Sequence, residues 1–157
     1  MLVFLDFDGT MHPGHAVIDR EGRVTCEDGG KLLRFAPLLL EALEPYPEAR
    51  IVLTTNWLNS MPFETVKSFL PETLQARVIG HTKRFFSQQL KLREIYSYPR
   101  EDEWVAIDDN FGELVLPKDE WRLIRTETSK GLGDYKTLGR LDGALMWMRE
   151  FERSSNA

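Results

Sequence analysis

The chain has 157 residues, of which 42% are hydrophobic and 29% charged, with a formal net charge of −5. This length allows one domain with a full core, the lack of any long apolar run argues against a membrane span, and the acidic balance disfavours non-specific nucleic-acid binding over the whole surface. The single cysteine, Cys26, excludes an internal disulfide and is compatible with a reducing cytoplasm, the expected location.

The first predicted element, Leu2–Leu5, is an apolar strand that begins almost at the N-terminus, with no basic region or cleavage site that would suggest a secretory signal. It runs into Asp6-Phe7-Asp8-Gly9-Thr10. Side chains at i and i+2 of an extended strand point the same way, so Asp6 and Asp8 are expected to face outward together. Two ionised carboxylates so close repel each other, and a shared proton or a bound cation relieves the repulsion. Hard oxygen donors favour Mg²⁺ over zinc. The pair therefore reads as a nucleophile and an acid/base group around magnesium, the plain alternative being a turn after a buried strand.

Residues 11–29 break the strand pattern. His12-Pro13-Gly14 reads as a turn, and Val17-Ile18 and Arg23-Val24-Thr25 flank Asp19-Arg20-Glu21-Gly22, which predicts a β-hairpin projecting over the strand end as a flap. His12 and His15 fall in this flap and read as solvated loop histidines, the alternative being contact with substrate. With His81 they form no metal-ligand spacing.

Gly30–Leu43 has helical periodicity with Pro37 as a kink or break, and Arg50–Thr54 is a second buried strand. Pro62–Leu70 and Ser87–Tyr96 read as helices, Arg77–Ile79, Trp104–Ile107 and Trp121–Ile124 as strands, and Leu138–Phe151 as a closing amphipathic helix. Alternating strand and helix predict a three-layer, Rossmann-like α/β fold with a parallel sheet and a small hairpin after the first strand. The short interval between Thr10 and Arg50 leaves little room for a large cap. Residues 1–157 are expected to form a single domain.

In such sheets ligands bind beyond the carboxyl ends of the strands. Three strands end there in small polar or acidic groups: Asp6 and Asp8, then Thr54-Thr55-Asn56, then Asp108-Asp109-Asn110. Asp108 and Asp109 have no Lys or Arg close in sequence. A helix N-cap would explain one of them, and a metal explains the pair better. Thr55 reads equally as a phosphate-binding hydroxyl and as a strand-end hydroxyl bonded to backbone. Trp57 reads as core. The densest cationic stretch is His81-Thr82-Lys83-Arg84, followed by Lys91 and Arg93. The glycines of Lys130-Gly131-Leu132-Gly133 are too weak a signal for a phosphate cradle.

Asp6-Phe7-Asp8-Gly9-Thr10, Thr55-Asn56, a later basic residue and Asp108-Asp109 resemble, in order and spacing, the four motifs of the haloacid dehalogenase superfamily. The flap, Thr55-Asn56-Trp57, Lys91-x-x-Glu94-Ile95 and Ala106-Ile107-Asp108-Asp109 resemble a compact bacterial and phage branch, some members of which accompany RNA-repair modules. The resemblance implies a Mg²⁺-dependent phosphatase with an aspartyl-phosphate intermediate. Asp6 would be the nucleophile and Asp8 the acid/base. Gly9, Thr10, Thr55, Asn56 and a basic residue would bind phosphate. Asp6, Asp8 through its carbonyl and Asp108 would coordinate the metal, with Asp109 in its water-mediated shell or orienting the basic residue. Lys91 fits the basic motif best, with Lys83 and then Arg93 as alternatives. The implied partner is a phosphorylated substrate, bulky substrates such as nucleic-acid ends being common for capless members. A phosphotransferase or a non-catalytic phosphate-binding module would share much of this pattern.

Overall fold

A computed structural model describes residues 1–83, 91–112 and 116–157. Five short strands form one parallel sheet in the order β5-β4-β1-β6-β7: β1 (Leu2–Leu5), β4 (Arg50–Leu53), β5 (Val78–His81), β6 (Trp104–Asp108) and β7 (Leu123–Arg125). Strand β1 lies at the centre, pairing with β4 on one side and β6 on the other. A separate antiparallel hairpin, β2 (Ala16–Ile18) and β3 (Val24–Cys26), follows β1, and no large cap domain is found among the described residues. The Asp19 carboxylate closes the hairpin turn by accepting from the backbone N–H of Glu21 and Arg23.

The central strands are continuous apolar runs because both faces of the sheet are covered. Alternate residues go to opposite layers. Val3, Leu5, Ile51, Leu53, Val105 and Ile107 share a core with Leu39 and Leu43 of α1 (Ala36–Leu43) and with Leu141, Leu145 and Met148 of α5 (Tyr135–Ser155). On the other face Leu2, Phe4, Val52, Trp104 and Ala106 pack against Leu92 and Ile95 of α4 (Lys91–Ser97). Two short helices, α2 (Phe63–Ser68) and α3 (Glu72–Gln75), add Val66 and Leu74 to the first layer.

Several boundaries differ from the sequence reading, each for a local reason. Pro37 does not kink a helix. It sits in the first turn of α1, where a missing N–H costs nothing, and residues 30–35 form turns instead. The strand expected at Trp121–Ile124 is Leu123–Arg125, because Pro117 opens a 3-10 helix that runs to Arg122. The strand expected at Arg77–Ile79 is Val78–His81. Helix α5 starts earlier than expected because the Asp134 side chain caps it, accepting from Lys136 N–H at 3.3 Å. Of the helix expected at Ser87–Tyr96, residues 87–90 lie outside the described residues, and Lys91–Ser97 is helical. No helix among the described residues is long and apolar enough to cross a membrane.

Candidate active site

Strand parity sets the site. Asp6 follows β1 in the register of Leu2 and Phe4, and Asp108 ends β6 in the register of Trp104 and Ala106. Both carboxylates therefore emerge on the side covered by α4, and the first described residue of that helix reaches between them. Lys91 Nζ lies 3.2 Å from Asp6 Oδ1 and 2.5 Å from Asp108 Oδ2, with all three side chains buried. The sequence left Asp108 without a nearby basic residue, whereas the fold supplies one from the facing layer.

Carboxylate oxygens of Asp6, Asp108 and Asp109 all lie within 4.8 Å of one another. Burial pushes the Asp6 carboxyl above its ordinary range, and the Lys91 charge only partly opposes this. Burial and the neighbouring Asp6 hold Asp108 well above the ordinary value. Burial works against the Lys91 ammonium too, but the two carboxylates outweigh it and its pKa is raised. One lysine is thus shared by an over-acidic cluster. An all-oxygen donor set with excess negative charge fits a hard divalent cation such as Mg²⁺.

Gly9 is required here for two reasons. Its φ is +69°, where only glycine is unstrained, and a Cβ would collide with the Asp109 carboxylate. Asp109 is held from the other side by Thr128, whose hydroxyl donates to Oδ2 at 2.8 Å.

A cleft of about 420 Å³ opens above the cluster, lined by Asp6, Asp8, His15, Asn56, Lys91, Asp109, Asn110 and Thr128. Asp8 does not continue the strand alongside Asp6, since β1 stops at Leu5 and the chain turns. Its Oδ1 accepts three hydrogen bonds: from His12 Nε2 at 3.0 Å, from the Ala16 N–H at 3.0 Å and from Trp57 Nε1 at 3.1 Å. Partial burial would raise the Asp8 pKa, but these donors prevail and hold it below the ordinary carboxylate range.

Four of the expected phosphate-binding residues are placed as follows. Asn56 lines the cleft and accepts from Lys83 Nζ at 2.8 Å. Thr55 is buried and its hydroxyl oxygen accepts from the Trp57 N–H at 3.2 Å, the backbone-bonded alternative. Thr10 is also buried, its hydroxyl 3.3 Å from that of Thr126. The N–H groups of Gly9 and Thr10 donate to Gly14 O and Phe7 O, so they serve the loop and do not face the cleft. Among the basic candidates, Lys91 reaches the cluster. Lys83 contacts Asn56 and lies 3.6 Å from Glu94, its pKa lowered by burial. Arg93 is exposed on α4.

The sequence reading missed His12 and Trp57. His12 is fully buried, not solvated, and Trp57 is core on its ring faces but polar at its N–H. The spacing held a clue, because His12 follows Asp8 by four residues inside a turn bracketed by Gly9 and Gly14, both at positive φ.

The sequence profile of the HAD domain in Swiss Army Knife RNA repair proteins matches residues 2–137. The chain belongs to this family. No curated protein and no solved structure matches the chain. In this HAD domain the matched span runs from the first strand into α5, and so contains every residue of the acidic cluster and the cleft.

Proposed function

We propose that this HAD domain is a Mg²⁺-dependent phosphomonoesterase that works through an aspartyl-phosphate on Asp6 and acts on the terminal phosphate of a nucleic acid. The observation that carries the reading is the buried Asp6–Lys91–Asp108 arrangement beside Asp109. A purely structural ion pair has no need of three carboxylates for one lysine.

Asp6, Asp108 and Asp109 would hold the cation, which when bound offsets the repulsion between these carboxylates and an incoming phosphate. Asp6 attacks phosphorus in line, forming the acyl phosphate as the ester P–O bond breaks. Asp8, whose donors favour the carboxylate, takes up a proton as the phosphate dianion enters beside it. It gives that proton to the leaving oxygen, then takes one from the water that attacks phosphorus and releases inorganic phosphate from Asp6. Lys91 balances the negative charge gathered on the transferring group. Asn56, braced by Lys83, stands at the cleft wall to orient the phosphate.

Support for a nucleic-acid end comes from the family, whose description names RNA repair, and from the lack of a large cap domain among the described residues. The test is phosphate release with Mg²⁺ from 3′- and 5′-phosphorylated oligoribonucleotides, compared with mononucleotides, sugar phosphates and phosphopeptides. Preference for an oligonucleotide end, abolished by Asp6→Asn in a folded protein, supports the reading. Full turnover by Asp6→Asn would overturn the mechanism, and preference for a phosphopeptide would overturn the substrate class.

A further inference from the structure

The hydrogen bonds to Asp8 are unevenly distributed. His12 Nε2, Ala16 N–H and Trp57 Nε1 all donate to Oδ1, whereas His15 Nδ1, on the cleft wall, stands 3.7 Å from Oδ2, beyond hydrogen-bond distance. The tautomer of His12 is set by its surroundings. Its Nδ1 accepts from the Leu33 N–H at 3.2 Å, which places the ring hydrogen on Nε2, aimed at Asp8. Trp57 can only donate, and its ring is clamped edge-on between Phe7 and Phe69 with centroids 5.1 and 5.2 Å apart. Neither donor can turn into an acceptor.

An oxygen with three donors has no room for a proton of its own. We propose that His12 and Trp57 are positioning residues for the reaction, saturating Asp8 Oδ1 so that the transferable proton resides on Oδ2, the oxygen nearer the cleft-lining His15. The inference rests on the reading of Asp8 as general acid and adds which atom carries the proton and what holds it there. Trp57 comes from the segment after β4 and His12 from the loop after β1, and their rings lie side by side, centroids 6.0 Å apart, with both N–H groups on the same carboxylate oxygen. During reaction the Oδ2–H bond breaks as the proton passes to the leaving oxygen, and Oδ2 regains a proton from the attacking water. The Oδ1 bonds persist throughout.

The experiment compares kcat/KM for phenyl phosphate, a poor leaving group, with that for 2,4-dinitrophenyl phosphate, which departs without a proton. kcat/KM reports phosphorylation of Asp6 whichever later step limits turnover. General-acid catalysis is worth on the order of 10²- to 10⁴-fold, and Asp8→Asn should lose that much selectively on phenyl phosphate. Trp57→Phe, which removes the N–H together with part of the ring system, should lose about tenfold on phenyl phosphate and far less on the activated ester, given what one hydrogen bond to a charged group contributes. His12→Asn keeps an acceptor for Leu33 but cannot reach Asp8, and should show the same split. His12→Gln restores a donor near the Nε2 position and should recover part of the loss.

Equal losses on both esters for Trp57→Phe and His12→Asn, with a selective loss for Asp8→Asn, would overturn the positioning role and leave the acid assignment standing. An equal loss on both esters for Asp8→Asn would overturn the acid assignment and this inference with it. If His12→Asn fails to fold, Trp57→Phe decides alone, with its unfolding midpoint measured to show that the smaller ring leaves a folded protein.

Discussion

Asp6, Asp8, Asp108 and Asp109 were readable from the sequence because carboxylates at the ends of apolar strands are conspicuous. Thr10 and Thr55 were expected at the phosphate, but their hydroxyls lie buried among protein partners. A hydroxyl's direction is settled by local backbone geometry that spacing does not encode. The bonds of His12 and Trp57 to Asp8 were not foreseen for the converse reason, since a turn histidine and a core tryptophan look ordinary until their N–H groups meet one carboxylate oxygen. Gly9 gives a sharp expectation at this scale. Gly9→Ala places a side chain at positive φ and against Asp109. It should cost about 1–3 kcal/mol in urea denaturation and should abolish phosphatase turnover by displacing Asp109.

At the scale of elements, buried parallel strands were legible as apolar runs, and their polar endings located the crevice. What the sequence could not show was which layer α4 would cover. That layer decides which lysine reaches the acids. Lys91→Met should therefore be severe. It strands two buried carboxylates, a change worth about 3–5 kcal/mol when one partner of a buried ion pair is lost, and equilibrium unfolding would measure it. Lys91→Met with Asp108→Asn should recover part of that loss, and a double-mutant cycle would give the coupling. An additive cycle would show that the 2.5 Å contact carries no energy. Lys91 in the fold holds its proton more tightly than a free lysine. Its contribution is complete below the ordinary lysine pKa and disappears only at more alkaline pH.

For the whole molecule, the acidic cluster ties stability to pH and, on the proposed reading, to Mg²⁺. Asp108 has a folded-state pKa raised by burial and by Asp6, so ionising it penalises the fold. The penalty is absent below the ordinary carboxylate range, where Asp108 is protonated folded or unfolded, and it grows as pH rises toward the folded-state value. Mg²⁺ binding should offset it. The Mg²⁺-induced rise in Tm is accordingly expected to be large at pH 7 and small near pH 4, and Asp108→Asn should remove most of it. An equal rise at both pH values in wild type and variant would place the cation elsewhere.

The outermost strand has a part in this chemistry that its position conceals. Just past β7, the Thr126 hydroxyl donates to the carbonyl of Gly9 at 2.7 Å, while the Thr126 N–H reaches Asp108 O at 3.0 Å. One threonine thus latches the loop after Asp6 to the strand that carries Asp108. Thr126→Val would unfasten that latch, stranding a buried carbonyl at about 1–3 kcal/mol. Phosphate release should fall although Thr126 never meets the substrate, so loosening the rim of the sheet would slow catalysis from behind.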